Sequence, residues 1–160
     1  MSKNSSKNKD IFKGKSVLSI DYGTKNVGFC LFSIGLDPFP LPFDQISNRG
    51  DEDVIGYIEN LIRDEFIEVV VLGLPKHKDG KDSQMTKIIR NFHQALTKRI
   101  HDTPCFFQDE ALSSFEAEDR MKNSPQYNFK IDKSRLDALA ASIILEEWLD
   151  SPYQSTSLTT

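Results

Sequence analysis

The alternation of apolar and polar residues divides the chain into nine predicted secondary-structure elements. Short continuous apolar runs rich in β-branched residues are typical of buried strands, whereas apolar residues spaced three and four apart indicate helices. Strands are predicted at residues 16–21, 27–34, 42–47, 68–74 and 104–108, and helices at residues 51–65, 83–101, 114–122 and 133–149. Three strands precede the first helix, and strands and helices then alternate. This order predicts an α/β fold with a mixed sheet covered by helices.

The two ends of the chain lack this pattern. Residues 1–12 are polar and low in complexity, a composition typical of disordered segments. We therefore expect a basic, disordered tail over residues 1–15, one folded domain over residues 16–150, and a loose tail over residues 151–160. The chain shows neither a secretory signal nor an apolar run long enough to span a bilayer. We expect a cytoplasmic protein that does not bind membranes.

The net charge of −4 is unevenly distributed. Residues 1–15 carry five lysines and one aspartate, and residues 76–101 carry seven lysines or arginines and two aspartates. A basic tail and a basic segment on an acidic body suit a polyanion held against a carboxylate centre. Lysines that merely solvate a helix face are an open alternative for the second segment. Cys30 and Cys105 fall in predicted buried strands, where thiols serve as small apolar groups.

An aspartate lies at the end of the first predicted strand. Asp21 follows the apolar run V-L-S-I and precedes a glycine turn that carries Thr24 and Lys25. A carboxylate at this point sits on a rigid strand yet can be reached by a metal or a phosphate, and Gly23 permits a tight turn. The alternative is a hairpin turn whose aspartate bonds only its own backbone amides.

Further acidic residues lie where the same edge of the sheet can present them. Asp109 and Glu110 follow the strand at residues 104–108, and Asp137 lies near the start of the last helix, which is apolar nearly all round. An ionised aspartate in such a helix is unfavourable unless it meets a cation or lies near an open end. Because strand ends present functional groups in sheets of this type, we expect these acids and Asp21 to converge. Favourable charges at helix N-termini are the alternative explanation.

Converging carboxylates repel one another unless cations are present. Two hard divalent ions, Mg²⁺ or Mn²⁺, would relieve the repulsion, and such a pair can stabilise both the attacking water and the leaving oxygen of a phosphodiester. The three histidines are not spaced as zinc ligands, and neither a P-loop nor a Ser-His-Asp elbow is present. Composition and spacing therefore favour metal-assisted phosphate chemistry.

Four segments, in order along the chain, carry a family resemblance. They are D-Y-G-T-K-N-V-G at Asp21–Gly28, V-V-V-L-G-L-P at Val69–Pro75 with D-G at Asp79-Gly80, D-E-A-L-S-S-F-E-A at Asp109–Ala117, and K-S-R-L-D-A-L-A-A at Lys133–Ala141. They resemble D-x-G-T-K-x-I-G, V-V-G-L-P with a D-G loop, D-E-R-L-T-T-x-E-A and D-A-x-A-A of the YqgF/RuvX family. That family is described as pre-16S rRNA nucleases or Holliday junction resolvase homologues. The resemblance spans about residues 16–150.

The resemblance implies a ribonuclease H-like α/β fold, in which a three-strand meander precedes alternating strands and helices and helices cover both faces. It also implies which carboxylates are catalytic and bind metal. By position these are Asp21, Glu110 and Asp137, with the neighbouring Asp109 as a further metal ligand. The expected cofactor is a pair of Mg²⁺ or Mn²⁺ ions.

The same resemblance implies residues that contact the nucleic acid. Thr24 and Lys25, beside Asp21, would contact or orient phosphate. Three lysines in the loop after the fourth strand would grip the nucleic-acid backbone: Lys76, Lys78 and Lys81. The chain departs from the family pattern at Ala111, which stands in place of an arginine and puts the rate and substrate in question.

The resemblance implies a metal-dependent endonuclease that cuts structured RNA, by family the 5′ region of pre-16S rRNA in ribosome biogenesis. One alternative is resolution of four-way DNA junctions, which normally requires a symmetric dimer. Another is a non-catalytic ribosome-assembly module. An ATPase of the actin and sugar-kinase type would need two lobes, and 160 residues hold one. The expected partners are nucleic acid and pre-ribosomal particles, with a monomer and a homodimer both open.

Overall fold

A computed structural model describes residues 6–75, 84–110 and 113–154 of the chain. All nine predicted elements are present, each within three residues of its expected bounds, which confirms the predicted α/β fold. The elements are α1 (Asn8–Ile11), β1 (Ser16–Tyr22), β2 (Asn26–Ser33), β3 (Leu41–Ser47), α2 (Asp51–Asp64), β4 (Val69–Pro75), α3 (Gln84–Arg99), β5 (Cys105–Glu110), α4 (Ser113–Lys122), a 3-10 turn (Pro125–Tyr127) and α5 (Leu136–Asp150).

The strands form one mixed sheet in the order β3-β2-β1-β4-β5. β1, β2 and β3 form an antiparallel meander, whereas β4 and β5 run parallel to β1. Parallel neighbours require crossover connections, which α2 and α3 supply. The carboxyl ends of β1, β4 and β5 therefore meet at one side of the sheet, here called the carboxyl edge.

Helices cover both faces of the sheet, as predicted. On one face, Leu18 and Leu72 of the strands pack with apolar side chains of α2 and α3. On the other face, α5 contacts all five strands, and Val71 packs with Ile144. Because β1 and β4 are buried on both faces, their sequences read as nearly continuous apolar runs.

The first turn of α5 lies in close contact with the sheet at Gly28. A Cβ atom at this position would lie 2.1 Å from the carbonyl carbon of Asp137 and 2.5 Å from the backbone nitrogen of Ala138. One turn further along α5, the hydroxyl of Ser19 donates a 2.8 Å hydrogen bond to the carbonyl of Ala141. A glycine and a serine on neighbouring strands therefore set the distance between the helix and the sheet.

Residues 6–15 differ from the disordered tail expected from the composition of the N-terminus. The side chain of Asn8 in α1 is buried and donates a 2.7 Å hydrogen bond to the carbonyl of Trp148 in α5. The ring of Phe12 lies 5.4 Å from that of Trp148, and Lys7 forms an isolated bridge with Pro152. So short a helix is stabilised by tertiary contacts rather than by its own propensity, which is why composition did not predict it.

The two cysteines are buried free thiols, as predicted. Burial raises the pKa of Cys105 to about 12, so this thiol stays protonated at neutral pH. Within the described residues, no helix has the length and apolar character needed to cross a membrane.

We predict that Gly28→Ala lowers the free energy of unfolding by about 1–3 kcal/mol, because the added methyl group must displace the backbone of α5. Gly56→Ala is the matched control, since Gly56 lies in α2 and a Cβ there meets no atom within 4 Å. This control is expected to raise stability by about 0.5–1 kcal/mol. Equilibrium urea unfolding measures both changes. A native-like midpoint for Gly28→Ala would show that α5 can move away without cost.

Candidate functional site

A row of three cross-strand neighbours lies near the carboxyl edge. Asp21 in β1 pairs with Gly28 in β2, and Gly28 pairs with Gln45 in β3. Residues directly opposite each other on antiparallel strands point to the same face. The backbone of Asp137 occupies the space above Gly28, where any other residue would place a side chain. The structure therefore brings Asp21 and Asp137 next to each other on the face that α5 covers.

Gln45 holds the first turn of α5 in place. Its side-chain oxygen accepts a 2.8 Å hydrogen bond from the backbone N–H of Asp137, and its side-chain nitrogen donates a 2.9 Å bond to the carbonyl of Lys133. The helix has no side-chain cap from its own N-cap residue, Arg135. Gln45 instead supplies an acceptor for one of the N–H groups that a helix start leaves unsatisfied. Gln45 was not predicted from the sequence, because a single polar residue on an outer strand forms no motif.

The electrostatic setting of Asp137 is unfavourable to its charge. The residue is half-buried, and burial raises the pKa of its carboxyl group because the ionised form loses hydration. Arg135, two residues away, pairs instead with Asp132 at 3.2 Å. No charged group among the described residues offsets the effect of burial on Asp137. The site therefore contains a carboxylate that a cation would stabilise.

The two acids at the end of β5 lie at different positions relative to α5. Asp109 is exposed and alternates with Phe107, which packs on His93 of α3 with ring centres 4.3 Å apart. Gln108 belongs to the opposite face, where it accepts a hydrogen bond from Ser151 after α5. Strand alternation therefore places Asp109 on the α3 face of the sheet. Glu110 is the last residue of β5, and its side chain lies outside the described part of the structure.

Asp109 lines a cavity rather than the row that contains Asp21. The cavity has a volume of about 600 Å³ and runs along the outer side of β5, between α3 and the segment after α5. Arg90 and His93 also line it, and the guanidinium of Arg90 lies 5.6 Å from the centre of the Phe107 ring. The structure thus separates Asp109 from the neighbouring pair of Asp21 and Asp137.

The turn between β1 and β2 carries Thr24 and Lys25, both exposed. The backbone N–H of Asn48 donates a 2.8 Å hydrogen bond to the carbonyl of Lys25, and its side chain donates another of 2.8 Å to the carbonyl of Gly23. Within the hairpin, the backbone N–H of Gly23 donates a third hydrogen bond to the carbonyl of Asn26 and closes the turn. The fixed turn places the two predicted phosphate-contacting residues directly after Asp21. Asn48 was not predicted either, because it acts from the end of a different strand.

The predicted phosphate contacts after β4 lie outside the described residues: Lys76, Lys78 and Lys81. Their loop starts at the carboxyl edge, because β4 ends at Pro75. The hydroxyl of Thr86 in the first turn of α3 donates a 2.9 Å hydrogen bond to the carbonyl of Pro75. Pro75 and Thr86, described residues on either side of this segment, therefore lie close together.

We predict that Gln45→Met destabilises the protein by about 1–3 kcal/mol, because it leaves the N–H of Asp137 and the carbonyl of Lys133 without their partner. Thermal and urea unfolding measure the change. Ser47→Ala, at an exposed position on the same strand, is the control and should unfold like the native protein. Equal stability of Gln45→Met and Ser47→Ala would mean that water replaces the glutamine at no cost.

Asp137→Asn is expected to stabilise the protein at neutral pH in the absence of divalent cations. The folded-state pKa of Asp137 is raised above its ordinary 3.8, so the native protein loses stability as pH rises through that range. An asparagine carries no charge and avoids this loss. The gain in urea midpoint should therefore be largest near pH 7 and vanish below pH 3.8. The measured quantity is the stability of Asp137→Asn minus that of the native protein. If this difference is smaller at pH 7 than at acidic pH, the electrostatic interpretation is wrong.

The chain matches the family described as RuvX, Holliday junction resolvase, over residues 15–151. A protein of Maridesulfovibrio salexigens is 38% identical over 136 residues, which cover 83% of this chain and 96% of that protein. One of Dechloromonas aromatica is 35% identical over 138 residues, covering 86% and 92%. Both are named "Putative pre-16S rRNA nuclease". The solved structure of Thermus thermophilus RuvC aligns with 86% of this chain and 99% of its own at a TM-score of 0.49 and 12% identity, a likeness that carries no functional argument. Since the family pattern extends over nearly the whole chain and two relatives exceed 30% identity, the protein belongs to the RuvX family.

Proposed function

We propose that the protein is a metal-dependent endonuclease that hydrolyses phosphodiester bonds in nucleic acid. The observation that carries this proposal is the packing of the Asp137 backbone on Gly28, beside Asp21, at the carboxyl edge. In this proposal Asp21, Asp137 and Glu110 are the catalytic carboxylates, and the nuclease domain spans residues 16–150. Membership of the RuvX family supports the same activity.

The donor set fits a hard divalent cation. Carboxylate oxygens are the ligands that Mg²⁺ and Mn²⁺ prefer, and a cation would offset the burial of Asp137. The described side chains contain no group of three His, Cys, Asp or Glu residues that could hold a metal ion. The proposal therefore assigns the third ligand to Glu110 and omits Asp109, which lies on the α3 face. When bound, the ions would activate a water molecule and stabilise the leaving oxygen.

The residues of the chain itself would position the phosphate. Lys25 is exposed on a turn held by Asn48, and its ammonium group can donate charge-assisted hydrogen bonds to phosphate oxygens. The hydroxyl of Thr24 can donate to the same group. Gln45 would keep Asp137 at a fixed distance from Asp21 throughout the reaction, because it ties α5 to the sheet. These contacts address phosphates, so they position the substrate without reading its sequence.

The substrate that we propose is precursor 16S ribosomal RNA. The support is the name of the two relatives at 38% and 35% identity. Pre-ribosomal particles are the corresponding partners, and a cytoplasmic location is part of the same proposal. The family description favours a second candidate, a four-way DNA junction. Cleavage of both strands of a junction requires a two-fold symmetric dimer, whereas one protomer suffices for RNA.

We expect Mn²⁺-dependent cleavage of a labelled precursor-like RNA by the native protein, and a loss of more than about 100-fold in rate for Asp21→Asn. Asp109→Asn is the matched control, since Asp109 lies on the α3 face of the sheet and Asp21 on the α5 face, and it should cut at close to the native rate. A four-way DNA junction tested in parallel decides between the two substrates. Unchanged cleavage by Asp21→Asn would reject the assigned site.

The same variants can be compared by metal binding alone. Mn²⁺ should raise the unfolding temperature of the native protein and of Asp109→Asn, but not that of Asp21→Asn, because a ligand that binds only the folded state stabilises it. Binding of RNA by native protein that neither cuts nor responds to Mn²⁺ would favour the non-catalytic assembly module.

A further inference from the structure

The loop between α4 and α5 holds an aromatic side chain on a strained backbone. Asn128 and Phe129 have φ angles of 55° and 58°, in the left-handed region. Asparagine tolerates this region, but it is unfavourable for a bulky aromatic residue. Burial of the ring would offset that cost, yet Phe129 is 60% exposed. Phe66 has the same combination of a left-handed φ and an exposed ring, so it is the surroundings of Phe129 that distinguish it.

Contacts inside the loop fix the position of Phe129. Its backbone N–H donates a 3.0 Å hydrogen bond to the carbonyl of Ser124, and the N–H of Lys130 donates one of 3.1 Å to the carbonyl of Tyr127. The guanidinium of Arg135 lies 4.3 Å from the centre of the Tyr127 ring. The exposed phenyl ring thus projects from an ordered loop.

The loop is basic within an acidic part of the chain. Residues 122–135 carry four lysines or arginines and one aspartate, although residues 102–160 as a whole carry six more acidic than basic side chains. Lys130 and Lys133 are exposed, and within the described part of the chain neither takes part in an ion pair. Their charges, one and four residues after Phe129, are available to an anionic partner.

The loop leads directly into the candidate site. The carbonyl of Lys133 accepts a hydrogen bond from Gln45, and the same glutamine accepts one from the N–H of Asp137. Lys133 is therefore tied to the same side chain as Asp137, so a strand that runs from Asp21 and Asp137 toward Lys133 would meet the loop. Phosphate charge on that strand complements the basic side chains of the loop.

We propose that Phe129 stacks on an unpaired nucleobase of the substrate next to the site, while Lys130 and Lys133 contact the adjoining phosphates. The inference rests on the proposed function and adds a requirement for single-stranded or looped nucleotides. An exposed ring on a hydrogen-bonded loop that also carries lysines suits unpaired nucleotides, because each base offers a face for stacking and each linkage a negative charge. A base inside a duplex is already stacked on both faces and is not available to the ring.

Fluorescence of 2-aminopurine in the loop of an RNA hairpin, measured in EDTA, tests the proposal without turnover. Phe129→Ala should bind the hairpin about 5- to 150-fold more weakly than native and lose the fluorescence change. Phe129→Trp should retain both. The matched control is Phe66→Ala, because Phe66 also has a left-handed φ of 55° and is 80% exposed, but precedes β4 at the edge opposite the site.

Native-like binding and fluorescence in Phe129→Ala overturn the proposal, as does failure of the native protein to bind the hairpin. Equal weakening in Phe66→Ala also overturns it, since the effect would then be unspecific. Weaker binding in Phe129→Ala together with no cleavage by the native protein supports stacking and rejects only the nuclease assignment. Cleavage by the native protein together with unchanged binding in Phe129→Ala rejects stacking and supports the nuclease assignment.

Discussion

The contact between the backbone of α5 and Gly28 is the constraint on which both the fold and the candidate site depend. The helix closes the second apolar face of the sheet, and it does so at a distance that leaves no room for a Cβ atom. The same distance permits the hydrogen bonds from Ser19 to Ala141 and between Gln45 and Asp137. Hydrogen bonds weaken steeply when donor and acceptor separate, so a small shift of the helix would disturb the core and the site together.

The site also shows how an apolar helix can carry a charged residue. α5 is buried along most of its length, including Ala138, Ala140 and Ile143, and its first turn is where a carboxylate can still reach the edge of the sheet. Burial disfavours the charge of Asp137, while the helix start and the neighbouring strand ends fix its location. Stability is reduced at the point where chemistry is proposed, as is common when function requires a strained or uncompensated group.

Much of the fold and part of the site could be predicted because each rests on a local pattern. Continuous apolar runs identified β1 and β4, and the acidic positions Asp21 and Asp137 lay in recognisable segments. The residues that arrange the site could not be predicted, because Gln45 and Asn48 act on partners distant in sequence. The separation of Asp109 from Asp21 depends on the register and alternation of β5, which adjacent acids in a sequence do not specify.

The dependence of all five strands on α5 has a consequence for how the protein is made. Gln45 and Asp137 are 92 positions apart in sequence, so this contact cannot form on a growing chain until the last helix has been synthesised. Contacts of such long range also slow folding, since the intervening chain must lose entropy before they form. A nascent or truncated chain would display the apolar surface that α5 covers and would be prone to aggregate. Asp21 and Asp137 come together only in a chain in which α5 has folded, so an incomplete copy would lack the proposed site.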